Sequence, residues 1–262
     1  MAKENPTWEK GILPGLVSVS FRDKTPEQIL AEMKETGLTA IEWGSDIHAP
    51  ADRPGRLTEI AALTRNAGIR CCSYGTYLHI GRCSPEDLRR HIAAARILGT
   101  DILRLWAGSK DSDEYTPEET AELFRECRML AKIAEEENVI LCMECHEQTY
   151  TNRLQSALTL MEAVSSDSFR MYWQPSRFRT PEENLSYAKA IAPYTCHLHI
   201  FNVNTAGRYP LEKAEKDWKS YFSAFSGTHC ALLEFMPDNA DGTFQRESKV
   251  LLQWAEELNG IE

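Results

Sequence analysis

Short apolar runs alternate with amphipathic helical segments eight times along the 262-residue chain. The runs predict strands at 15–21, 40–44, 70–77, 102–108, 139–146, 169–175, 195–202 and 230–236. Strands that alternate with helices of this length form a parallel sheet, because each helix returns the chain to the same edge. Eight such units fit a single (β/α)₈ TIM barrel over residues 1–262, since such a barrel typically takes about 250 residues.

An open doubly wound sheet is the alternative architecture for the same alternation. Sheets of that kind usually carry a glycine-rich phosphate turn after an early strand, and the chain has no G-x-G-x-x-G segment. Four predicted helices begin with a hydroxyl residue followed by Pro-Glu, which is typical of an N-cap, at Thr25, Ser84, Thr116 and Thr180. Several helices are expected to end at a left-handed glycine, at Gly37, Gly68 and Gly99. We therefore predict the closed barrel.

Composition excludes several classes of partner. A formal net charge of −10 opposes a nucleic-acid partner, because phosphate backbones are bound by basic surfaces. No apolar run approaches the roughly 18 residues of a membrane span. The first 15 residues contain no apolar stretch of signal-peptide length. These observations predict a soluble, cytoplasmic protein with no membrane partner, and they leave a homodimer possible.

The eight cysteines are predicted to be reduced, because the chain shows no export signal. Cys142 and Cys145 have the spacing of a CxxC motif. Residues three apart in a strand point to opposite faces, and no second CxxC is present to complete a zinc site. We interpret both as packing residues.

Catalytic residues of (β/α)₈ barrels lie at the C-terminal ends of the strands, so polar residues there are the candidates. They are Glu42, Tyr74, Arg104, Glu144, Gln174, His197, His199 and Glu234. Glu144 and Glu234 interrupt apolar strands, and a buried carboxylate is costly unless it is paired or binds a metal. A salt bridge to Arg104 or a solvent-facing strand end would explain either acid alone. Two such acids together with His199 favour a functional site.

Strand periodicity assigns further side chains to faces. His146 shares a face with Glu144, and His197 shares one with His199. One of the latter two histidines is expected to be a hydrogen-bonded lumen residue, and His199 is the predicted ligand because it is nearer the strand end. Residues at or just past strand ends, with aromatic surface beside them, are predicted substrate contacts: Glu42, Trp43, His48 and Trp106.

The late-strand residues resemble those of a known family. The order Glu144, Gln174, His199, Glu234 is similar to that of the sugar isomerase/epimerase group of xylose-isomerase-like barrels. That group includes ketose 3-epimerases, hydroxypyruvate isomerase, inosose dehydratase and, more distantly, endonuclease IV. The resemblance extends over essentially the whole chain and is strongest to bacterial sugar phosphate isomerases/epimerases in IEWGSDIHAP, MECHEQTYTN, MYWQPSRF, HLHIFN and LLEF.

The resemblance implies a divalent metal site, with Mn, Mg or Zn bound by Glu144, Gln174, His199 and Glu234. Gln174 stands where the epimerases have an aspartate ligand, and Arg177 stands where they have a substrate-binding histidine. A glutamine oxygen can coordinate a hard ion but adds no charge, so the implied site has two carboxylates and binds metal less tightly than three would.

The implied chemistry is proton transfer next to a carbonyl through an enediolate, with Glu144 and Glu234 as base and acid. The residues implied to hold substrate oxygens are Arg104, His146, Arg177 and His197. The substrate is expected to be a small carbohydrate, phosphorylated or not. Two alternatives remain open: a dehydratase of the inosose type, and a metal-free sugar- or polyol-binding barrel without catalysis. A multi-metal nuclease is opposed by only seven histidines and the negative charge.

Overall fold

Eight parallel strands form the centre of the molecule, of which the computed structural model describes residues 11–260. The strands are β1 Gly11–Val17, β2 Ala40–Gly44, β3 Arg70–Ile80, β4 Ile102–Ala107, β5 Ile140–Glu144, β6 Phe169–Trp173, β7 Thr195–Ile200 and β8 Thr228–Leu233. Each pairs with its sequence neighbours, and β8 pairs with β1, which closes the barrel. The predicted (β/α)₈ fold is confirmed.

Eight α-helices alternate with the strands and surround them. They are α1 Pro26–Thr36, α2 Pro54–Asn66, α3 Pro85–Leu98, α4 Pro117–Glu137, α5 Leu154–Val164, α6 Pro181–Ile191, α7 Glu215–Phe222 and α8 Thr243–Asn259. A short antiparallel hairpin, Val203–Asn204 with Gly207–Arg208, lies between β7 and α7. No helix in the described part of the chain is long and apolar enough to cross a membrane.

The predicted helix starts have the expected capping geometry. The hydroxyl residues before α1, α3, α4 and α6 each accept a hydrogen bond from the third backbone N–H of the helix, and the third side chain bonds back. Caps of this kind each contribute about 0.5–2 kcal/mol. The predicted glycines after α1, α2 and α3 have positive φ, as the ends of these helices require.

Several predicted strand ends differ from the structure by one to four residues, and two differences change the kind of element. The first strand was placed at 15–21, whereas β1 ends at Val17 and Ser18–Phe21 forms a 3₁₀ turn. Ser18 turns inward because its hydroxyl accepts a hydrogen bond from the Gly44 N–H. The seventh helix was predicted over 211–225, and the structure divides that segment into a 3₁₀ turn, Leu211–Ala214, and α7.

The core has two layers. The larger one lies between the barrel and the helices, and a smaller one fills the lumen with Val17, Ala40, Cys72, Cys142, Tyr172, Cys230 and Leu232. Cys142 lies in the lumen and Cys145 in the outer layer, as predicted from the strand period. All eight cysteines are free thiols. The prediction that the chain has no export signal rests mainly on residues 1–10, which lie outside the described residues.

An irregularity in β3 changes which residues face the lumen. Ile41 lies opposite Cys71 and Glu42 lies opposite Ser73, so Cys72 is an extra residue in this strand. As a result Cys72 and Ser73 both contact groups inside the barrel. Tyr74, considered as a site residue from the sequence, points outward, and its hydroxyl donates to the Ala49 carbonyl.

Candidate active site

Side chains from the ends of four consecutive strands converge, with three oxygens around Nδ1 of His199. This nitrogen lies 3.1 Å from Oε1 of Glu144, 3.1 Å from Oε1 of Gln174 and 3.5 Å from Oε2 of Glu234. Glu144 ends β5, His199 lies in β7, and Gln174 and Glu234 directly follow β6 and β8. All four are buried. The structure therefore brings together the four residues that the sequence singled out, and we refer to them as the four-residue cluster.

The four-residue cluster has the donor set and spacing of a metal site. Bonds of about 2.0–2.1 Å in a tetrahedron separate the ligand atoms by about 3.3–3.4 Å, close to the separations observed here. Glu144, His199 and Glu234 each offer a ligand atom within 4.8 Å of the others. Oε2 of Glu234, which lies 3.5 Å from Nδ1 of His199, is buried without a hydrogen-bond partner. Histidine nitrogen with carboxylate oxygens suits Zn²⁺ or Mn²⁺, so the residues present fit the implied ion.

A buried ion pair network holds two of the carboxylates ionised. Arg104 donates from Nε to Glu42 and from Nη1 to Glu144, both at 3.0 Å. Burial alone would raise the pKa of Glu42, but the charge of Arg104 and contacts with His199 lower it to about 2. Burial would likewise raise the pKa of Glu144, but the charge of Arg104 and contacts with His199 outweigh this effect and lower the pKa.

Glu234 is in a different electrostatic position from Glu144. Burial raises the pKa of Glu234, and the negative charge of Glu144 raises it further, against the opposing effect of His199. Burial would lower the pKa of His199, but Glu234 and the other two glutamates raise it to about 10. Three carboxylates thus share the site with two cationic side chains, Arg104 and His199, and Glu234 is the carboxylate most easily protonated.

Glu42 lies behind the four-residue cluster rather than in contact with solvent. It is fully buried, its Oε2 accepts a hydrogen bond from the Ser73 hydroxyl at 2.8 Å, and its Oε1 lies 3.7 Å from Nε2 of His199. The sequence suggested Glu42 as a substrate contact, and the structure instead places it where it holds Arg104 and adds negative charge beside His199. Gly75 leaves the space for this arrangement, because a Cβ there would lie 2.8 Å from Oε1 of Glu42.

His48, also suggested as a substrate contact, has a structural position. Its Nδ1 lies 3.0 Å from the Ser18 hydroxyl, and its Nε2 lies 3.2 Å from the carbonyls of Phe21 and Lys24. The ring is buried and joins the segment after β2 to the 3₁₀ turn after β1. Trp43 likewise belongs to the outer core, where its indole donates to Thr64.

His197 lies deeper in the lumen than the cluster. The Tyr172 ring packs against both histidines, with centroids 5.5 Å from His197 and 4.7 Å from His199. Cys72, His197 and Cys230 form a second group whose ligand atoms lie within 4.8 Å. However, Nδ1 of His197 accepts a hydrogen bond from the Cys230 N–H. This hydrogen bond occupies the lone pair of Nδ1, so the second group offers a metal fewer free ligand atoms, which favours the four-residue cluster as the metal site.

A cavity of about 690 Å³ opens at the C-terminal end of the barrel, directly over Gln174. We call it the mouth cavity; it is lined by Asp111, His146, Glu147, Gln148, Asn152, Arg153, Gln174, Pro175, Ser176, Arg177, Phe178, Arg179, Phe201, Val203 and Phe235. His146 and Arg177, predicted substrate contacts, both line it. Trp106 reaches the cluster itself, because its indole donates to Oε2 of Glu144 at 2.6 Å.

Sequence reasoning missed several lining residues. Phe201 and Phe235 lie near the ends of the predicted strands 195–202 and 230–236, and the rule used for polar strand ends would have found them if it had included aromatics. Arg153 and Arg179 lie in loops between strands and helices. No strand periodicity extends to those positions, so the sequence contains no signal for their direction.

Comparison with known proteins identifies the family of the chain. The profile of the family described as xylose isomerase-like TIM barrel matches residues 30–251. The chain belongs to this family. A curated xylose isomerase-like relative, 3-dehydroshikimate dehydratase of Bacillus anthracis, is 22% identical over 178 residues, which are 58% of this chain and 62% of that protein.

Solved structures of xylose isomerase-like barrels share the fold at low identity. The probable 3-DHS dehydratase AsbF from Bacillus anthracis has a TM-score of 0.74 at 18% identity, covering 91% of this chain and 98% of that one. The IOLI protein with a bound zinc atom has a TM-score of 0.72 at 14% identity, covering 94% and 98%. D-Psicose 3-epimerase from Clostridium cellulolyticum H10 has a TM-score of 0.64 at 12% identity, covering 94% and 99%.

Proposed function

We propose that this barrel is a divalent-metal isomerase or epimerase that moves a proton at the carbon next to a carbonyl of a small polyhydroxylated substrate. The observation that carries the proposal is the convergence of three side-chain oxygens on Nδ1 of His199. Three oxygens and an imidazole nitrogen at a barrel mouth form a ligand set for a catalytic ion. The likeness in fold to D-psicose 3-epimerase supports the proposal of an epimerase.

The four-residue cluster would hold the ion. The ion would stabilise the negative charge that develops on the substrate oxygen. Glu234 is the better candidate for the proton-transfer group, because Oε2 has no hydrogen-bond partner and its pKa is raised. Glu144 is held ionised by Arg104 and Trp106 and is therefore suited to remain negatively charged throughout the reaction. Pairs of acids whose surroundings separate their pKa values commonly divide the roles in this way.

A dehydratase is the second candidate, favoured by the likeness to 3-dehydroshikimate dehydratase. Its first step is the same: Glu234 would take the proton next to the carbonyl. The adjacent carbon–oxygen bond then breaks, and the hydroxyl leaves as water after taking up a proton. The two candidates therefore differ in whether the substrate keeps its hydroxyl.

Proton–deuterium exchange distinguishes the candidates. The protein would be incubated in D₂O with ketoses, inososes and 3-dehydroshikimate, with Mn²⁺, Mg²⁺ or Zn²⁺, and followed by proton NMR. Exchange at the carbon next to the carbonyl with an epimer or isomer as product supports the isomerase, and loss of water supports the dehydratase. Chelator-treated protein is the control and should be inactive.

Elemental analysis tests the non-catalytic alternative. About one metal ion per chain is expected from a single set of four ligands. Metal-free protein with undiminished stability and no exchange on any substrate would contradict the proposal and favour a sugar-binding barrel.

A further inference from the structure

Two arginines in the mouth cavity lack acidic partners. Arg153 forms an ion pair with Asp113, whereas Arg177 and Arg179 form none with any residue between 11 and 260. The Arg177 guanidinium lies 4.9 Å from the Phe178 ring centroid and is exposed. Arg179 donates to the Asn152 carbonyl and lies 4.6 Å from the Tyr187 ring centroid. Both guanidinium groups keep donors free for another acceptor.

The two acidic residues of the cavity, Asp111 and Glu147, form no ion pair with these arginines, and each accepts a hydrogen bond from another group. Oδ1 of Asp111 accepts the Gln148 N–H at 2.6 Å, and Oε1 of Glu147 accepts the Ser176 hydroxyl at 2.7 Å. The chain as a whole carries a net charge of −10, so unpaired positive charge here is not a consequence of a basic composition. Arg177 and Arg179 both lie on the loop after β6, and Gln174 is the first residue of that loop.

We propose that the ligand of the mouth cavity carries an anionic group, a carboxylate or a phosphate, that Arg177 and Arg179 bind while its other end reaches Gln174. The inference rests on the proposed function, because it places the substrate in this cavity. Guanidinium groups match the oxygens of carboxylates and phosphates with two parallel hydrogen bonds. Gln174 lines the same cavity and contacts His199, so one small molecule can reach both ends.

Calorimetric titration of the Mn²⁺-loaded protein tests the inference with two matched pairs of probes. Shikimate is compared with methyl shikimate, and D-ribulose 5-phosphate with D-ribulose. In each pair the anion is expected to bind about tenfold more tightly or better, as for hydrogen bonds to charged groups, if its anionic group is the one recognised. The pair that shows the preference identifies carboxylate or phosphate as the group.

The variants R177A and R177A/R179A should reduce that preference to about twofold or less, with affinity for the uncharged probes unchanged. R125A is the control, because Arg125 is an exposed arginine paired with Glu122 on α4 and its loss changes the net charge equally. Because Arg177 is exposed, the single variant keeps the test valid if the double variant does not fold.

Equal affinity within both pairs, a preference that survives in the double variant, or no saturable binding by any probe would overturn the inference. Deuterium exchange is measured separately on the same samples. Charge-selective binding without exchange supports the anion site and counts against the proposed function, whereas exchange on ketoses without charge preference overturns the anion site alone.

Discussion

The indole N–H of Trp106 and Nη1 of Arg104 both donate to the same carboxylate oxygen, Oε2 of Glu144, at 2.6 Å for Trp106. This relationship fixes the orientation of the Glu144 carboxylate and leaves Oε1 to face His199. Trp106, which the sequence suggested as a substrate contact, therefore also positions Glu144, a candidate metal ligand.

Trp106→Phe should lower turnover by about 10- to 100-fold while leaving metal stoichiometry unchanged, because one hydrogen bond to an ionised group contributes about 1.5–3 kcal/mol. Steady-state kinetics and metal analysis would measure the two effects. Trp43→Phe is the matched control, since it also removes one indole hydrogen bond but on the outer face. An equal loss in both variants would show that the effect is not specific to Glu144.

Glu234→Gln should lower the rate of deuterium exchange by about 10²–10⁴-fold, the usual contribution of a positioned acid or base. The amide keeps the shape of the side chain but accepts no proton, so the circular dichroism spectrum should not change. Glu144→Gln should also abolish turnover, and both variants should bind the metal more weakly, because each removes one of the two carboxylates of the four-residue cluster. Full activity in either variant would contradict the proposed mechanism.

Gln174→Glu should tighten Mn²⁺ binding by about tenfold or more, because a third carboxylate adds negative charge beside a divalent cation. The length of the side chain is kept, so the oxygen near His199 stays in place. Isothermal titration calorimetry gives the affinity, with Gln155→Glu on the exposed face of α5 as the control for added charge. An unchanged affinity would place Gln174 outside the metal shell.

Acid titration of stability should reveal the buried Glu42 carboxylate. Its pKa is about 2 in the folded protein against an ordinary 4.5, so it stabilises the fold above pH 4.5 and this stability is lost as the pH falls towards 2. The contribution is about 3 kcal/mol. Urea unfolding of chelator-treated protein at several pH values would measure it. Glu42→Gln should be less stable at neutral pH and show a smaller acid dependence; an unaltered dependence would contradict this assignment.

His48→Ala should reduce the free energy of unfolding by about 1–3 kcal/mol, because it leaves buried polar groups unpaired. Metal affinity and exchange rates per folded molecule should stay near those of the wild type. His199→Ala is the contrast: it should abolish metal binding. Loss of substrate affinity in His48→Ala without loss of stability would restore the sequence-based interpretation of His48 as a substrate contact.

The fold was readable from the sequence because strand and helix periods, caps and terminal glycines are all local signals. The convergence of Glu144, Gln174, His199 and Glu234 could also be predicted, since the late positions of parallel strands must share one end of a barrel. The position of Glu42 could not be predicted, because it depends on Ser73 and Arg104 from two other strands. His48 was misassigned for a similar reason: its partners lie in a 3₁₀ turn that the strand pattern did not reveal.

The extra residue in β3 described above has a consequence for transplanting this site into another barrel. A strand of regular pairing would present either Cys72 or Ser73 to the interior, not both. Copying the glutamates, the histidine and the arginine alone would therefore omit the hydroxyl that anchors Glu42. A designer would have to insert one residue in the third strand so that Cys72 and Ser73 both face the interior and Ser73 can donate to Glu42.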